Sequence, residues 1–591
     1  MKDIKNWKTE WDLSIYYKNQ KDPQIEKDVV EVEQKVKQFT TKYNKDKSYL
    51  SNASSLKKMF DEQAKIDLLK GVNKPLAYFF SLRDIGKTTP DLDKQEIIIT
   101  ERLKKASNQT ISIFLALGKI PASKQKEFLK SPALADYKYY LERYFESAKH
   151  QLTEPEEKIL SLKSGPSSDM WVDGVSKTLQ KKNVVLDGKK ISLGEASSKI
   201  GSLPTKKRRA LYKDMMKEIT SVADFSEGEI NAIINNKKIH DELRGYKNSY
   251  DRPFYGHEMD ADTVLKFTDL VSKNFKIAHR FYKVKAKMLG LKDFSYPDRG
   301  AKVGKIDKKF PFKESAEMLY DVLDKVDPYF SNIVNDFFVQ GQVDVYPRQG
   351  KRGGAYQSGG EIMPTQIFLN HIDTFDSLNT MAHEFGHAFH TELAKKHQPL
   401  HYRGYSLAVA ETASTLFENF VFKEVVSKLS EKEKIIALHD KIEGKVQTIF
   451  RQVAAFNFEI ELHDRIKKEG YLSHEEISKL LAKHLRSYCG PAMKVEDEDG
   501  YQFVSWSHFR SYFYVYTYAF GDLVSDSLFA RYEDDPKFME NIKSLLGAGS
   551  SMSPKDIFKK HAGIDTKDMT FFQKGIDNIE QDIIALEKLV K

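Results

Sequence analysis

His383-Glu-Phe-Gly-His387 places two imidazoles four residues apart, and on a helix such residues share one face, a single turn from each other. Both can reach one ion, and Glu384, next to the first, can address a water beside that ion without binding it. A catalytic zinc uses three protein ligands and keeps one place for water, so a third donor is required. Position 393, six beyond His387, is Leu, and positions 406 and 407, where other zinc-site spacings put a glutamate, are Ser and Leu. Glu411 fits the need. It stands in Leu407-Ala-Val-Ala-Glu-Thr-Ala-Ser414, a small and apolar stretch where an unpaired charge is costly and a cation relieves it. Ser406 is placed to cap that helix, with Glu411 in its second turn. Glu392 and Glu418 are weaker rivals, the first expected to be a solvated group near Lys395 and the second a neighbour of the site. His390 is expected to be structural or to support the ligands, because three are already assigned. The set implies one Zn²⁺ per chain and hydrolysis by an activated water.

The elements that position these groups read as helices. Ile25–Tyr43, Leu56–Leu69, Asp93–Ser107, Glu314–Val326 and Phe572–Leu589 space apolar residues three and four apart, with Lys- and Glu-rich faces between. Turn-prone clusters at Lys87–Pro90, Ser164–Ser168, Asn248–Gly256, Ser295–Gly304 and Gly547–Pro554 predict breaks. Strand character is confined to Val343–Tyr346 and Gln366–Leu369, with a loop expected from Gly350 to Gly360. The metal helix is expected to open at Asn379 or Thr380.

The chain has 591 residues, 94 basic against 85 acidic, and 40% of it is hydrophobic. Charges of both signs are mixed throughout, which predicts solubility and no nucleic-acid partner. Cys489 is the one cysteine, so no disulfide framework exists, and no paired base marks it as a nucleophile. Met1–Pro23 is polar, without the apolar stretch of a signal peptide, and no run approaches a membrane span. The expectation is a cytoplasmic protein. Lys206-Lys-Arg-Arg209 is expected to be a solvated helix start.

His383-Glu-Phe-Gly-His-Ala-Phe-His390, together with Glu411 in its small-residue helix, resembles the oligoendopeptidase F branch of the thimet oligopeptidase family of zinc metallopeptidases. Arg348-Gln-Gly-Lys-Arg-Gly-Gly-Ala-Tyr356 looks like the family's glycine-rich segment before a substrate-facing strand. His508-Phe, followed by Phe513-Tyr-Val-Tyr-Thr-Tyr-Ala519, looks like its C-terminal His/Tyr segment. Leu546-Gly-Ala-Gly-Ser550 and Gly563-Ile-Asp565 look like its closing helices. Arg510 departs from the aromatic residue expected after His-Phe.

The resemblance runs from about residue 200 to the end, with weaker features before it. It implies a mainly α fold, with helices around a deep channel or cavity and a small β-sheet beside the zinc helix. Residues 1–200 would form an N-terminal helical domain covering the channel, and 201–591 the zinc metallopeptidase domain. The implied activity is endopeptidase cleavage of oligopeptides, with His383, His387 and Glu411 on zinc and Glu384 as general base. His508, Tyr514 and Tyr518 are the implied oxyanion donors, and Gly353, Gly354 and Tyr356 the implied substrate contacts. If the tyrosine segment is helical, 514 and 518 share one face and 512 and 516 another; the second pair is then packing. Gln366–Leu369 is expected to pair with an extended peptide. Two other functions fit the same residues. A carboxypeptidase or peptidyl-dipeptidase needs a cation for the substrate C-terminus, which sequence does not place. A silent peptide-binding protein needs the ligands but has no use for Glu384.

Overall fold

The computed structural model describes residues 4–306, 308–360 and 362–590. It is mainly helical, with two small sheets. Among the described residues, no helix is long and apolar enough to cross a membrane. Five helices carry the argument below: α1 (Ala223–Leu243), α2 (Phe375–His397), α3 (Leu407–Val426), α4 (Gln452–Glu469) and α5 (Tyr516–Asp534). The predicted helices are present as Pro23–Lys45, Ala53–Asp67, Pro90–Ser107, Phe312–Val326 and Met569–Leu589. The break expected at Ser164–Ser168 is absent. Gly165–Asp169 forms a wide π turn that joins the helices Glu154–Ser164 and Met170–Gln180, so its Gly, Pro and Ser loosen the helix without ending it.

The chain divides into two compact units, each built from separate stretches: 1–162 with 310–405 and 543–552, and 163–309 with 406–542 and 553–591. This differs from a single boundary near residue 200. The units are discontinuous, and residues 310–405 belong with the N-terminal helices.

In the first unit, β3 (Val343–Asp344), β4 (Tyr356–Ser358) and β5 (Gln366–Phe368) form a sheet in the order β3-β5-β4. β5 is parallel to β3 and antiparallel to β4, with Tyr356 opposite Phe368 and Ser358 opposite Gln366. Two expectations are corrected. The Gly350–Gly360 stretch contains a strand, β4, and Gln366–Phe368 is central, so both of its edges are already paired. Asp344 anchors the loop between β3 and β4: Arg348 donates both Nη groups to its carboxylate at 2.7 and 2.8 Å, and the buried Lys351 ammonium reaches it at 2.6 Å. The sheet packs against α2.

In the second unit, β1 (Asn183–Leu186) and β2 (Lys189–Ser192) make a hairpin. The basic cluster at 206–209 is partly interior rather than solvated. Arg208 is buried on Asp298 at 2.7 Å, and Arg209 holds the same carboxylate and Asp293, each at 2.6 Å. Cys489 is buried, and the apolar surroundings push its thiol up to about 12.

Candidate active site

α2 opens earlier than expected. Thr374 caps it by accepting from the Ser377 N–H, and Lys395, Lys396 and His397 in its last turn suit the negative helix end. The helix therefore has a full extra turn before His383, which places the ligand pair well inside a regular stretch. Phe385 packs on Phe337 and Phe338, and Phe389 on Phe330, so the opposite face is pinned in the core. The half-buried rings of His383 and His387 stand side by side, centroids 4.9 Å apart and nearly perpendicular. Glu384 is 95% shielded from solvent.

His390 has no room to act as a ligand on that face. It is fully buried, its ring is stacked on Tyr405 at 3.6 Å, and burial pushes it down to about 3. Glu392 accepts from Thr365 at 2.5 Å and pairs with Lys395 at 3.1 Å.

Glu411 lies in α3 among buried Ala410, Thr412 and Ala413. Ser406 takes the cap position, but its hydroxyl makes no capping bond. Gly521 of α5 lets the two helices touch here, because a Cβ at 521 would lie 2.8 Å from the Glu411 Cβ. His383 and His387 stand in the first unit and Glu411 in the second, and the three side chains offer two imidazoles and a carboxylate. That donor set suits zinc. Within the second unit, two clusters of such residues lie close enough to share an ion, Glu227/His474/Glu475 and His439/Asp440/Glu443. In the latter, Glu443 already holds the Lys285 ammonium, which competes directly with a cation.

The second unit brings the His/Tyr segment together. His508 lies 5.4 Å from the Tyr514 ring and 5.8 Å from Tyr518, and the tyrosines are 5.8 Å from each other. Burial raises both phenols, with added repulsion from Glu411, so each keeps its O–H. His508 is pushed down to about 4, chiefly by burial and then by the charge of Arg451, which leaves a neutral imidazole. Tyr512 and Tyr516 point elsewhere. Tyr512 donates to the Ile233 carbonyl at 3.1 Å, and Tyr516 is fully buried with its hydroxyl 3.3 Å from His257.

The separation arises from a turn, not from a helix through the whole segment. α5 begins only at Tyr516, and Tyr512 and Phe513 have φ of 53° and 56°, a left-handed conformation that non-glycine residues rarely adopt. Two buried groups hold it. The Phe513 N–H donates to Glu459 of α4 at 2.7 Å. Arg510, which breaks the expected pattern, is a staple: it pairs with Glu229 of α1 at 2.6 Å and donates to the Phe503 and Trp506 carbonyls at 2.6 and 3.0 Å. Glu459 is fully buried and pushed up to about 8 by the loss of water. Sequence reasoning missed Glu459, although it carries the same signal as Glu411, an acid within an apolar helix (Val453-Ala-Ala-Phe-Asn-Phe).

Of the three expected substrate contacts, Tyr356 is committed to structure. Its hydroxyl donates to Asp84 at 2.6 Å and its ring stacks on Phe368. A Cβ at Gly353 or Gly354 would meet no atom of the chain within 4 Å; within the chain, glycine is demanded only at Gly354, by its φ of 86°. Asn370 donates to the Arg352 and Gly354 carbonyls at 2.9 and 2.7 Å and sets the loop.

The sequence matches the model of "Peptidase family M3" over residues 204–577 and that of "Oligopeptidase F" over 117–173. An oligoendopeptidase F homolog of Lactococcus lactis subsp. lactis is 25% identical, covering 99% of this chain and 98% of its own. The group B oligopeptidase PepB of Streptococcus agalactiae is also 25% identical, covering 99% and 97%. The crystal structure of oligoendopeptidase-F from Enterococcus faecium shares the fold with a TM-score of 0.72 at 18% identity, covering 96% of this chain and 99% of its own.

Proposed function

This chain belongs to peptidase family M3 and is a metallo-oligopeptidase, and from that premise we propose a zinc-dependent endopeptidase with Glu384 as its general base. The observation that carries the reading is the pair of imidazoles, His383 and His387, side by side on α2, with the shielded carboxyl of Glu384 next to the first; Glu411 is the proposed third ligand. Zinc, when bound, supplies the Lewis acid that lets water attack at neutral pH and that polarises a carbonyl. Glu384 accepts the proton of the attacking water and passes it to the leaving amine. Tyr514, Tyr518 and His508 donate to the oxygen on which negative charge develops; all three are held neutral, so each carries a proton to share.

The peptide backbone pairs with the free edge of β4, since β5 is enclosed between its neighbours. The Gly353–Gly354 loop, open around both Cα atoms, leaves room beside that edge. A narrow channel of the kind the family resemblance implies admits short peptides and rejects folded proteins.

One digestion tests the reading. A mixed peptide library is incubated with the enzyme, with and without a chelator, and read by mass spectrometry. Internal cleavage that stops on chelation and returns with Zn²⁺ is expected, with a stably folded protein left intact. Full activity in metal-free protein, or release of only terminal residues, breaks it.

A further inference from the structure

Arg451 is a half-buried cation with no carboxylate partner among the described residues. It ends a π turn, Val446–Arg451, that interrupts the helical run from Glu431 into α4. Such a turn widens the helix by one residue and redirects a side chain, a device common at functional sites. The guanidinium is stacked on Trp506, its carbon 3.8 Å from the ring centroid, and Trp506 in turn lies 6.2 Å from His508. Arg451 is half-buried, and its Nε is sealed from solvent without an acceptor among the described residues. Arg299 shares an Nε without an acceptor, but two other interior arginines are ion-paired. Arg208 rests on Asp298 and Arg510 on Glu229, each with its carboxylate in place. A shielded guanidinium N–H with no acceptor is costly, and it is retained where a ligand completes it.

We infer that Arg451, braced by Trp506 beside His508, is a subsite for a carboxylate of the peptide substrate. The planar fork of a guanidinium matches a carboxylate with two parallel hydrogen bonds, and stacking on an indole fixes the plane of that fork before the ligand arrives. The location gives the carboxylate a fixed distance from the His508/Tyr514/Tyr518 cluster. This subsite rests on the proposed function and sharpens it: among peptides of one sequence, those with the carboxylate in register are the better substrates. A free C-terminus or an acidic side chain supplies the same group.

The test compares peptides on one enzyme. A cleaved peptide is prepared as free acid and as C-terminal amide, and in a third and fourth form with a Glu or a Gln at each position in turn. For the wild-type enzyme, removing the recognised carboxylate should lower kcat/KM by about tenfold or more, the size of a lost charge-assisted hydrogen bond. In Arg451→Gln that ratio should collapse to about one, and in Arg451→Lys, which keeps charge without the fork, it should fall between. Partial unfolding of a variant cancels, because both peptides meet the same enzyme. Loss through amidation assigns the C-terminus; loss through Glu-to-Gln exchange assigns a side chain. A wild-type ratio near one for every pair, or a ratio retained in Arg451→Gln, overturns the subsite. Equilibrium binding of the same peptides to Glu384→Gln needs no turnover. If the free acid binds through Arg451 but nothing is ever cut, the hydrolysis reading fails and the subsite stands.

Discussion

α2 and the His508–Tyr518 segment present chemistry by opposite means. On α2, the two proposed ligands and the proposed base occupy a regular helix, and the four-residue spacing alone puts both imidazoles on one face. In the second segment, two left-handed residues, Tyr512 and Phe513, break the regular path, and distant buried groups hold the break: Glu459 from α4 and Arg510 against Glu229 of α1. The first arrangement depends on local repetition and tolerates changes elsewhere. The second is only as good as its partners 54 and 281 positions away in the chain. Damage to the two regions should therefore look different. The first fails when its own residues change, and the second also fails from a distance.

The largest effect should come from the regular region. Glu384→Gln keeps the size but removes the proton carrier, and turnover should drop by up to ~10⁴-fold. Metal analysis should still find about one zinc per chain, whereas Glu411→Ala or His383→Ala should release it. A Glu384→Gln enzyme with near-normal kcat would remove the general base from α2 and with it the contrast. The next effect lies in the irregular region. Tyr514→Phe with Tyr518→Phe deletes two hydroxyls beside His508 and should lower kcat by ~10²–10³ with zinc content unchanged. Tyr512→Phe with Tyr516→Phe should act on stability instead, because the Tyr512 hydroxyl serves the Ile233 carbonyl and that of Tyr516 faces His257. A thermal melt and a kcat for each double variant separate the two outcomes; equal small losses of kcat would leave the tyrosines without a part in the reaction.

The same division explains what the sequence made legible. Periodicity found the long helices, and the side-by-side placement of His383 and His387 was readable because a helix converts spacing into geometry. The small, buried surroundings of Glu411 were legible too, and they are why it is proposed as a ligand. The sheet was half legible. Its hydrophobic strands were found, but strand order depends on long-range pairing, so β5 was expected at the edge and proved central, while β4, with Gln357 and Ser358, had no apolar run to reveal it. The tyrosine face was inferred from a helix that starts only at Tyr516. Nothing local in Ser511-Tyr-Phe encodes positive φ, since neither residue is Gly, Asn or Asp. That conformation is imposed from outside by Glu459, and the pattern-breaking Arg510 was itself the visible sign of an external tie. The two-unit division escaped because both units are discontinuous in sequence.

Glu459 offers the sharpest probe of control from a distance. Its carboxyl touches no reacting atom in this assignment and acts through the Phe513 N–H. It is therefore a positioning residue. Glu459→Leu removes the acceptor, the left-handed pair loses its restraint, and Tyr514 should lose its alignment, at a cost in kcat of about tenfold to a hundredfold with KM little changed. Glu459→Gln is the informative control. With its pKa pushed up to about 8, the wild-type carboxyl is mostly neutral at pH 7, and an amide reproduces a neutral group whose oxygen still accepts from Phe513. Glutamine should restore most of kcat. If glutamine were as damaging as leucine, a negative charge beside Lys237 and His463 would be the operative feature rather than the hydrogen bond to the turn.

The smallest effect is an expected lack of one, at His508. An ordinary histidine gains its proton near pH 6.5, and an oxyanion donor that had to be cationic would make activity decline above that value. Here burial first, and the charge of Arg451 second, hold the imidazole pKa at about 4. The sign follows from the depressed value. The neutral folded form is stabilising above pH 6.5, and that contribution is lost as pH falls from 6.5 towards 4, where the unfolded chain takes up a proton that the folded site resists. Between pH 5 and 8 the ring should therefore stay neutral and donate through its one N–H. His508→Gln retains a donor, so its kcat should be lower than wild type but its pH profile should have the same shape over that range. A step near pH 6.5 in the wild-type profile that disappears in His508→Gln would show that the ring titrates at its ordinary value. The irregular segment would then be open to water, and burial would not govern its chemistry.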